Sequence, residues 1–267
     1  MGDRHEAGTA VITYCDRVRR PPRREPAIEE GHIVVTVTDG RTALIIGASR
    51  GLGYALAAEY LARGRRVTAT VRGTGRTGLH DLADSSGGRL VVERVDITVP
   101  EQIAALHERL ARTTFDLLFV SAGVTNDPEE TVADVPTETF VHLMVTNALS
   151  PMRVVEALRD LVAPDGTIAV MSSGQGSVAN NDKGGFEVYR ASKSALNQLM
   201  RSFAARHADD PRTLLLMAPG WVKTDLGGPA ARLTTDQSIP GVVDTIESQR
   251  ARGGLRFLDY EGRTVRW

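Results

Sequence analysis

The sequence predicts an α/β fold: a single doubly wound parallel sheet of about seven strands with helices on both faces. From Arg41 onward, short apolar segments typical of buried strands alternate with amphipathic helical segments. The chain of 267 residues, 42% of them hydrophobic, is long enough to bury one core of this kind. Because no internal repeat or second domain boundary interrupts the alternation, we expect one domain over residues 41–267.

Residues 1–40 differ in composition from the domain that follows. Segment 16–26 is rich in arginine and proline and offers little apolar surface to bury, which predicts a largely disordered extension. A basic arm that docks on a partner is the alternative. Segment 32–38 could be a short edge strand or the lead-in to the domain.

Seven short runs of apolar and β-branched residues predict the strands. They cover residues 42–46, 66–71, 90–95, 115–120, 166–171, 213–217 and 255–258. Helical periodicity fills most of the intervals. The predicted helices end at about residue 62 after the first strand, and cover about 100–112, 137–161, 187–208 and 236–251. Gly64 follows the first helix in the position of a C-cap.

Ligands of such sheets bind at the carboxyl ends of the strands. Unusual residues of this chain follow those ends: Gly47, Arg72, Asp96, Ser121, Ser173 and Pro219. Since the carboxyl ends of parallel strands share one edge of the sheet, these positions predict a single binding site.

A glycine-rich turn follows the first strand and opens a helix. It reads Gly47-Ala48-Ser49-Arg50-Gly51-Leu52-Gly53. Glycines allow a tight turn and a close approach of the backbone to a pyrophosphate, which a helix N-terminus attracts through its N–H groups and dipole. In this strand–turn–helix context, the pattern predicts a nucleotide site.

The end of the second strand favours NADP(H) over NAD(H). It carries Arg72 and no acidic residue that could hold free ribose hydroxyls. Arg72 and Arg50 lie where guanidinium groups could grip a 2′-phosphate, although both could be ordinary charged residues at loop ends. Asp96 could accept a hydrogen bond from an adenine amino group, with Ile97 beside the ring, or could be an N-cap.

Tyr189 and Lys193 lie four residues apart, so a helix places them on one face. A free phenol is a weak acid with a pKa of about 10. A nearby ammonium stabilises the phenolate and lowers that pKa, which suits a proton donor. Amphipathic helices produce this pair by chance, so the prediction depends on the motifs around it.

Together these motifs resemble the short-chain dehydrogenase/reductase family over about residues 41–267. The matching positions are Gly47-x-x-x-Gly51-x-Gly53, Asp96, Ser121-Ala122-Gly123, Asn147, Ser173, Tyr189-x-x-x-Lys193 and Pro219-Gly220-x-Val222-x-Thr224. Segments 172–177, 189–197, 219–229 and 256–262 resemble more narrowly the C-factor/sniffer-type carbonyl reductases. The resemblance implies a Rossmann-type domain with strand order 3-2-1-4-5-6-7 and an NAD(P)-dependent oxidoreductase that acts on a small carbonyl or alcohol substrate.

The resemblance also implies residue roles. Tyr189 would protonate the carbonyl oxygen, Lys193 would bind the nicotinamide ribose and lower the phenol's pKa, and Ser173 would steady the developing charge. Ser172 is the rival serine, and Asn147 would belong to a proton relay. The cofactor would contact Gly47, Ser49, Arg50, Gly51, Leu52, Gly53, Arg72, Asp96, Ile97, Ser121, Ala122, Gly123, Tyr189, Lys193, Pro219, Gly220, Val222 and Thr224.

Three features of the sequence bear on these roles. Ser121 stands where family members usually have an asparagine, and the stretch from Ser173 to Tyr189 is longer than usual, with the extra residues in 180–185. The extra residues could alter the substrate mouth or dimer packing, or could simply form a flexible surface loop. Pro151 has no N–H to give the Asn147 carbonyl, which could then bind a relay water, or the proline could kink the helix for packing.

Composition limits the other functions. A net charge of −1 gives no attraction to nucleic acid or a membrane surface, and the histidines have no metal-ligand spacing. The single cysteine, Cys15, fits a reducing compartment, so we expect a cytoplasmic protein. The family's usual dimer face, helices 137–161 and 187–208, leaves monomer, homodimer and homotetramer open.

Two other functions compete with a carbonyl reductase. A catalytically silent sensor would need the glycines but not the proton donor, and an epimerase or dehydratase would need a longer substrate domain. The short apolar segment 226–233, a candidate lid, suggests a small or flat apolar substrate.

Overall fold

The computed structural model of the chain describes residues 40–267. The extension predicted over residues 1–40, apart from Gly40, lies outside the described residues, as does the apolar segment 32–38. Within the described range, no helix is long and apolar enough to cross a membrane.

The described residues form one parallel sheet of seven strands in the order β3-β2-β1-β4-β5-β6-β7, which confirms the predicted fold and strand order. The strands are β1 Thr42–Ile46, β2 Arg66–Val71, β3 Leu90–Arg94, β4 Phe115–Val120, β5 Val162–Met171, β6 Thr213–Ala218 and β7 Gly254–Asp259. Among the strands, the largest difference from the sequence prediction is β5, which starts four residues before its predicted start. An irregular register between Phe115 and Leu117 of β4 lets Val162 pair before the regular ladder begins at Thr167.

Seven α-helices connect or follow the strands within residues 40–267. They are α1 Gly51–Ala62, α2 Gly78–Ser85, α3 Pro100–Leu110, α4 Thr137–Met144, α5 Ser150–Leu158, α6 Glu187–Arg206 and α7 Thr235–Ser248. The sequence analysis missed α2. Leu79, Leu82 and Ala83 do recur at helical spacing, but the helix has only eight residues and buries Leu79 alone, so the pattern is too short to stand out from the polar sequence around it.

The predicted helix 137–161 is a continuous helical stretch with an irregular centre. Residues Val145–Leu149 form a π-helical turn between α4 and α5, and Arg159–Leu161 form a 3-10 turn. The Ser150 N–H donates to the Val145 carbonyl, five residues back, immediately before Pro151. No side chain of residues 40–267 donates to the Asn147 carbonyl, and its water-relay role stays a prediction.

Each face of the sheet has its own core, because successive side chains of a strand point to opposite faces. Leu44 and Ile46 of β1 face the layer of α3, α5 and α6, while Ala43 and Ile45 face the layer of α1, α2 and α7. Both layers leave the carboxyl edge of the strands uncovered by regular helix packing, and the loops at that edge carry the site.

Candidate active site

A cleft of about 680 Å³ lies at the carboxyl edge of the sheet. It is lined by nineteen of the twenty different site residues that the sequence predicts, from the glycine turn to Thr224. The remaining one, Asn147, lies fully buried behind the lining. The sequence therefore identified residues that the fold does bring together.

Two positions of the glycine turn, Gly47 and Gly53, leave no room for a side chain. Gly47 has a left-handed φ of 85°, and a Cβ there would lie 2.9 Å from Ala122. A Cβ at Gly53 would overlap the Gly47 carbonyl oxygen. Among the described residues, no side chain caps α1 and no acidic residue lies in its first turn, so its N–H groups remain for an anion.

Thr70 of β2 holds the glycine turn in place, a role that the sequence analysis did not find. Its hydroxyl accepts the Gly47 N–H at 3.0 Å, and its carbonyl accepts the Ala48 N–H at 2.8 Å. The hydroxyl of Thr146 also lies buried in the lining, with no hydrogen-bond partner among residues 40–267. Neither threonine belongs to a recognisable motif, so only the tertiary contacts reveal them.

The two arginines proposed for a 2′-phosphate differ in their surroundings. The Arg50 guanidinium lies 2.8 Å from the Asp225 carboxylate, and both side chains are about three-quarters exposed, at 76% and 74%. This ion pair joins the glycine turn to the loop after β6. Arg72 is exposed at the end of β2, where its charge acts on Asp96.

Asp96 uses one carboxylate oxygen within its own turn. Oδ1 accepts hydrogen bonds from the N–H and hydroxyl of Thr98, at 2.9 and 2.7 Å. Burial raises the pKa of Asp96, but the bonds from Thr98 and the charge of Arg72 outweigh it and lower the pKa overall. The N-cap of α3 is Val99, so Asp96 does not cap that helix.

Tyr189 and Lys193 lie on the first turns of α6, both nearly buried, with exposures of 8% and 3%. The Lys193 ammonium lies 5.9 Å from the centroid of the Tyr189 ring and donates to the Met171 carbonyl at 2.9 Å. A Cβ at Gly123 would lie 3.5 Å from the ammonium. The lysine therefore reaches the floor of the cleft at the end of β5.

Burial dominates the acidity of both groups. It raises the pKa of Tyr189 to about 12, opposed by a hydrogen bond with Ser173, and it lowers the pKa of Lys193 to about 8. We expected the ammonium to lower the phenol's pKa. The geometry differs from that expectation because the ammonium lies 5.9 Å from the ring centroid while the phenol is almost fully desolvated.

The two candidate serines have different environments. The Ser172 hydroxyl is buried and donates to Asn197 Oδ1 at 2.6 Å. The Ser173 hydroxyl accepts the Gln175 N–H at 3.1 Å and shares a hydrogen bond with Tyr189. Ser173 is therefore the serine that lies beside the phenol, whereas Ser172 fixes α6 to the end of β5.

Asn147 is placed by the π-helical turn and joins three segments. Its amide nitrogen donates to the Val124 carbonyl and to the Ser192 hydroxyl, both at 2.9 Å. Its amide oxygen accepts the Val124 N–H at 2.8 Å and would lie 3.4 Å from a Cβ at Gly123. These bonds fix the strand end beside Lys193.

The loop after β6 closes the other side of the cleft. The buried Ser238 hydroxyl donates to the Pro219 carbonyl at 2.6 Å, and Gly220 has a left-handed φ of 82°. The Thr224 hydroxyl accepts the Gly227 N–H at 3.0 Å. A bridge between Val222 and Leu233 closes the loop that contains the candidate lid, residues 226–233.

Several lining residues were not among the site residues predicted from the sequence. Phe186 has a left-handed φ of 52° directly before α6, and its N–H donates to the Pro128 carbonyl at 3.0 Å. Asn180, Arg263 and Val265 line the cleft from the loop after Ser173 and from the end of the sequence. Among the described residues, no cluster of three or more His, Cys, Asp and Glu could hold a metal ion.

The chain is similar to known proteins over most of its length. A family model described as Enoyl-(Acyl carrier protein) reductase matches residues 47–247. The 1-hydroxy-2-glutathionyl-2-methyl-3-butene dehydrogenase of Rhodococcus sp. (strain AD45) is 30% identical over 233 residues, which cover 85% of this chain and 99% of that protein.

Two solved structures are similar over 85% of this chain and 100% of their own. A short-chain dehydrogenase/reductase from Burkholderia multivorans with bound NADP is 60% identical, with a TM-score of 0.84. A carbonyl reductase from Pseudomonas aeruginosa PAO1 in complex with NADP is 36% identical, with a TM-score of 0.79.

Proposed function

The chain belongs to the short-chain dehydrogenase/reductase family, and from this premise we propose that it reduces a ketone or aldehyde to an alcohol with NADPH, or catalyses the reverse oxidation. One observation carries the proposal: Ser173, Tyr189 and Lys193 line the same cleft as a glycine turn shaped for a pyrophosphate. The sequence-based resemblance to this family and to its carbonyl reductase branch is confirmed by the comparisons.

NADP(H) is the cofactor that we propose for the cleft. The side-chain-free turn at Gly47 and Gly53 and the uncapped start of α1 fit a pyrophosphate, and both similar structures described above were solved with NADP. Arg72 and Arg50 would hold the 2′-phosphate, and Asp96 with Ile97 would meet the adenine. When bound, the nicotinamide supplies the hydride or accepts it.

Tyr189 would hold the proton that the carbonyl oxygen receives. Its pKa of about 12 keeps the phenol protonated at neutral pH, as a donor in the reducing direction must be. The hydrogen bond with Ser173 brings a second hydroxyl to the same place, where it would orient the carbonyl and stabilise the charge on its oxygen.

Lys193 and Asn147 would assist Tyr189 in two different ways. The ammonium would bind ribose hydroxyls and restore a proton to Tyr189 after turnover. Asn147 keeps the backbone at Gly123 and Val124 close to Lys193, which is a positioning role.

Turnover separates this proposal from its main rival, a silent sensor. We expect NADPH to be oxidised in the presence of at least one member of a panel of small and flat apolar ketones and aldehydes. The absorbance of the reduced nicotinamide measures the reaction. The exposed Trp221 and Leu226 beside the cleft support apolar substrates. Tight NADPH binding without turnover across the panel would identify a sensor instead.

Cofactor choice is tested at Arg72. Because Arg50 already has Asp225 as a partner, we expect Arg72 to contribute most to 2′-phosphate recognition. Arg72→Ala should weaken NADPH binding by about 10-fold or more and leave NADH binding nearly unchanged, as measured by nicotinamide fluorescence titration. The control is Arg112→Ala, an exposed arginine after α3. Equal losses for both cofactors would contradict the assignment.

The quaternary structure and the domain limits remain predictions. Helices α4 and α6 and the π-helical turn expose large apolar side chains that a second copy could cover, at Phe140, Val141, Leu149 and Leu199. We propose that residues 41–267 form the catalytic domain and that homodimers use this helical face.

A further inference from the structure

The last five residues of the sequence run back along β7 and reach the cleft. We name residues 263–267 the return segment. A turn at Gly262 reverses the chain, and the Val265 N–H then donates to the Phe257 carbonyl at 2.9 Å. An antiparallel bridge joins Thr264 to Leu258, and Val265 is buried in the core at 8% exposure. The return segment is therefore a packed part of the domain.

Trp267 anchors the return segment against two elements. Its ring lies 5.7 Å, between centroids, from the ring of Phe257 in β7. The guanidinium of Arg201, on the same helix as Tyr189, lies 4.5 Å from the centroid of the Trp267 ring. These contacts fix the position of the Trp267 backbone relative to α6.

Two hydrogen bonds then connect the return segment to the stretch that follows Ser173. The Ala179 N–H donates to the Trp267 carbonyl at 3.0 Å, and Arg266 Nε donates to Asn180 Oδ1 at 2.9 Å. The Asn180 N–H in turn donates to the buried Ser177 hydroxyl at 3.1 Å. Asn180 lines the cleft, so the return segment fixes part of its wall.

Among the described residues, no hydrogen bond joins residues 181–185, just beyond this anchor, to the return segment. Residues 181–185 are all exposed, and Gly184 and Gly185 both have left-handed φ values. Within this stretch the Gly184 N–H donates to Asn181 Oδ1 at 3.2 Å and Arg190 Nε donates to the Gly185 carbonyl at 2.9 Å, and the Phe186 N–H then donates to the Pro128 carbonyl. The stretch between Ser173 and Tyr189 is the one that is unusually long in this sequence, and a longer loop costs more entropy to order. An anchor at residues 179 and 180 shortens the free part of that loop.

We propose that Trp267 is a positioning residue for the substrate side of the cleft, holding residues 177–181 so that Asn180 keeps its place in the wall of the cleft that Ser173 also lines. The inference rests on the proposed function for its kinetic consequence, but not for its structural one. Without the ring, the Trp267 carbonyl that accepts the Ala179 N–H is no longer held in place, and the part of the loop without an anchor then starts at residue 178 instead of 181.

Trypsin cleavage tests the structural consequence without any turnover. Lys183 lies in the exposed loop, so cleavage after it reports how often the loop opens. Trp267→Ala should be cleaved there about 2- to 10-fold faster than the native protein, and Trp267→Phe, which keeps an aromatic ring, should stay close to it. Phe115→Leu, a core change at the amino end of the central strand β4 and so away from the cleft, controls for general destabilisation.

The kinetic consequence is a selective rise in the KM for the carbonyl substrate. Trp267→Ala should raise that KM by about 2- to 10-fold and leave the NADPH Kd within about 2-fold of the native value, and Trp267→Phe should keep both the KM and the Kd close to native. The inference would be overturned if trypsin cleaved Trp267→Ala after Lys183 at the native rate, or if it cleaved Phe115→Leu as much faster as Trp267→Ala. If no carbonyl compound is turned over, the proposed function fails, but the cleavage rates still test the positioning role of Trp267.

Discussion

Replacement of Tyr189 by phenylalanine is expected to lower kcat for carbonyl reduction by about 100- to 10,000-fold, the usual contribution of a general acid. The phenol is the one titratable hydroxyl that shares a hydrogen bond with Ser173 in the cleft of the described structure. Steady-state NADPH oxidation measures the loss. The NADPH Kd should change little, because the substitution removes a single hydroxyl group.

The pH dependence gives this prediction a second readout. Since burial raises the pKa of Tyr189 to about 12, the phenol stays protonated through neutral pH, and reduction should not lose its proton donor there. Alcohol oxidation needs the phenolate and should speed up as the pH rises. Tyr54→Phe, on α1 and outside the cleft lining, should behave like the native protein. A Tyr189→Phe enzyme that keeps native kcat would remove Tyr189 from the mechanism.

Replacement of Lys193 by methionine is expected to lower kcat by about 100-fold or more and to change how stability depends on pH. The native protein buries the ammonium, which lowers its pKa from 10.5 to about 8. Between those values the unfolded chain binds more protons than the folded one, so this group makes stability increase with pH from about 8 to 10.5. At about 1.4 kcal/mol for each unit of pKa, the increase amounts to about 3 kcal/mol.

The Lys193→Met protein should lack that increase. Relative to the native protein, its free energy of unfolding should therefore fall by about 3 kcal/mol as the pH goes from 7 to 10.5, measured by urea unfolding at each pH. Lys183→Met, an exposed lysine, is the matched control and should leave the slope unchanged. Parallel pH curves for Lys193→Met and the native protein would show that Lys193 is not a buried cation.

The sequence was sufficient for the sheet and for most of the cleft because both depend on local patterns. Strands β1, β2 and β4 were predicted with their observed bounds, since each is a short apolar run between clear turn residues. The glycine turn was identified in the same way, because Gly47 and Gly51 have left-handed φ values that favour glycine and Gly53 leaves no room for a Cβ.

Features that depend on distant packing could not be predicted. The sequence favours Ser173 over Ser172 by resemblance alone, because the contact that holds Ser172, the hydrogen bond from its hydroxyl to Asn197 Oδ1 on α6, joins residues 25 apart. The net pKa of Tyr189 depends on how far the fold desolvates it, and no spacing of Tyr and Lys gives that quantity. The contact of Trp267 with Ala179 joins residues that are far apart in the sequence.

A crystal structure with NADP⁺ and an unreactive carbonyl analogue, such as a carboxamide, tests the central claim most directly. We predict that the analogue's oxygen lies about 2.6–3.2 Å from both the Tyr189 hydroxyl and the Ser173 hydroxyl. An ordered cofactor in the cleft, with the analogue's oxygen bonded to other groups and the phenol out of reach, would contradict the account.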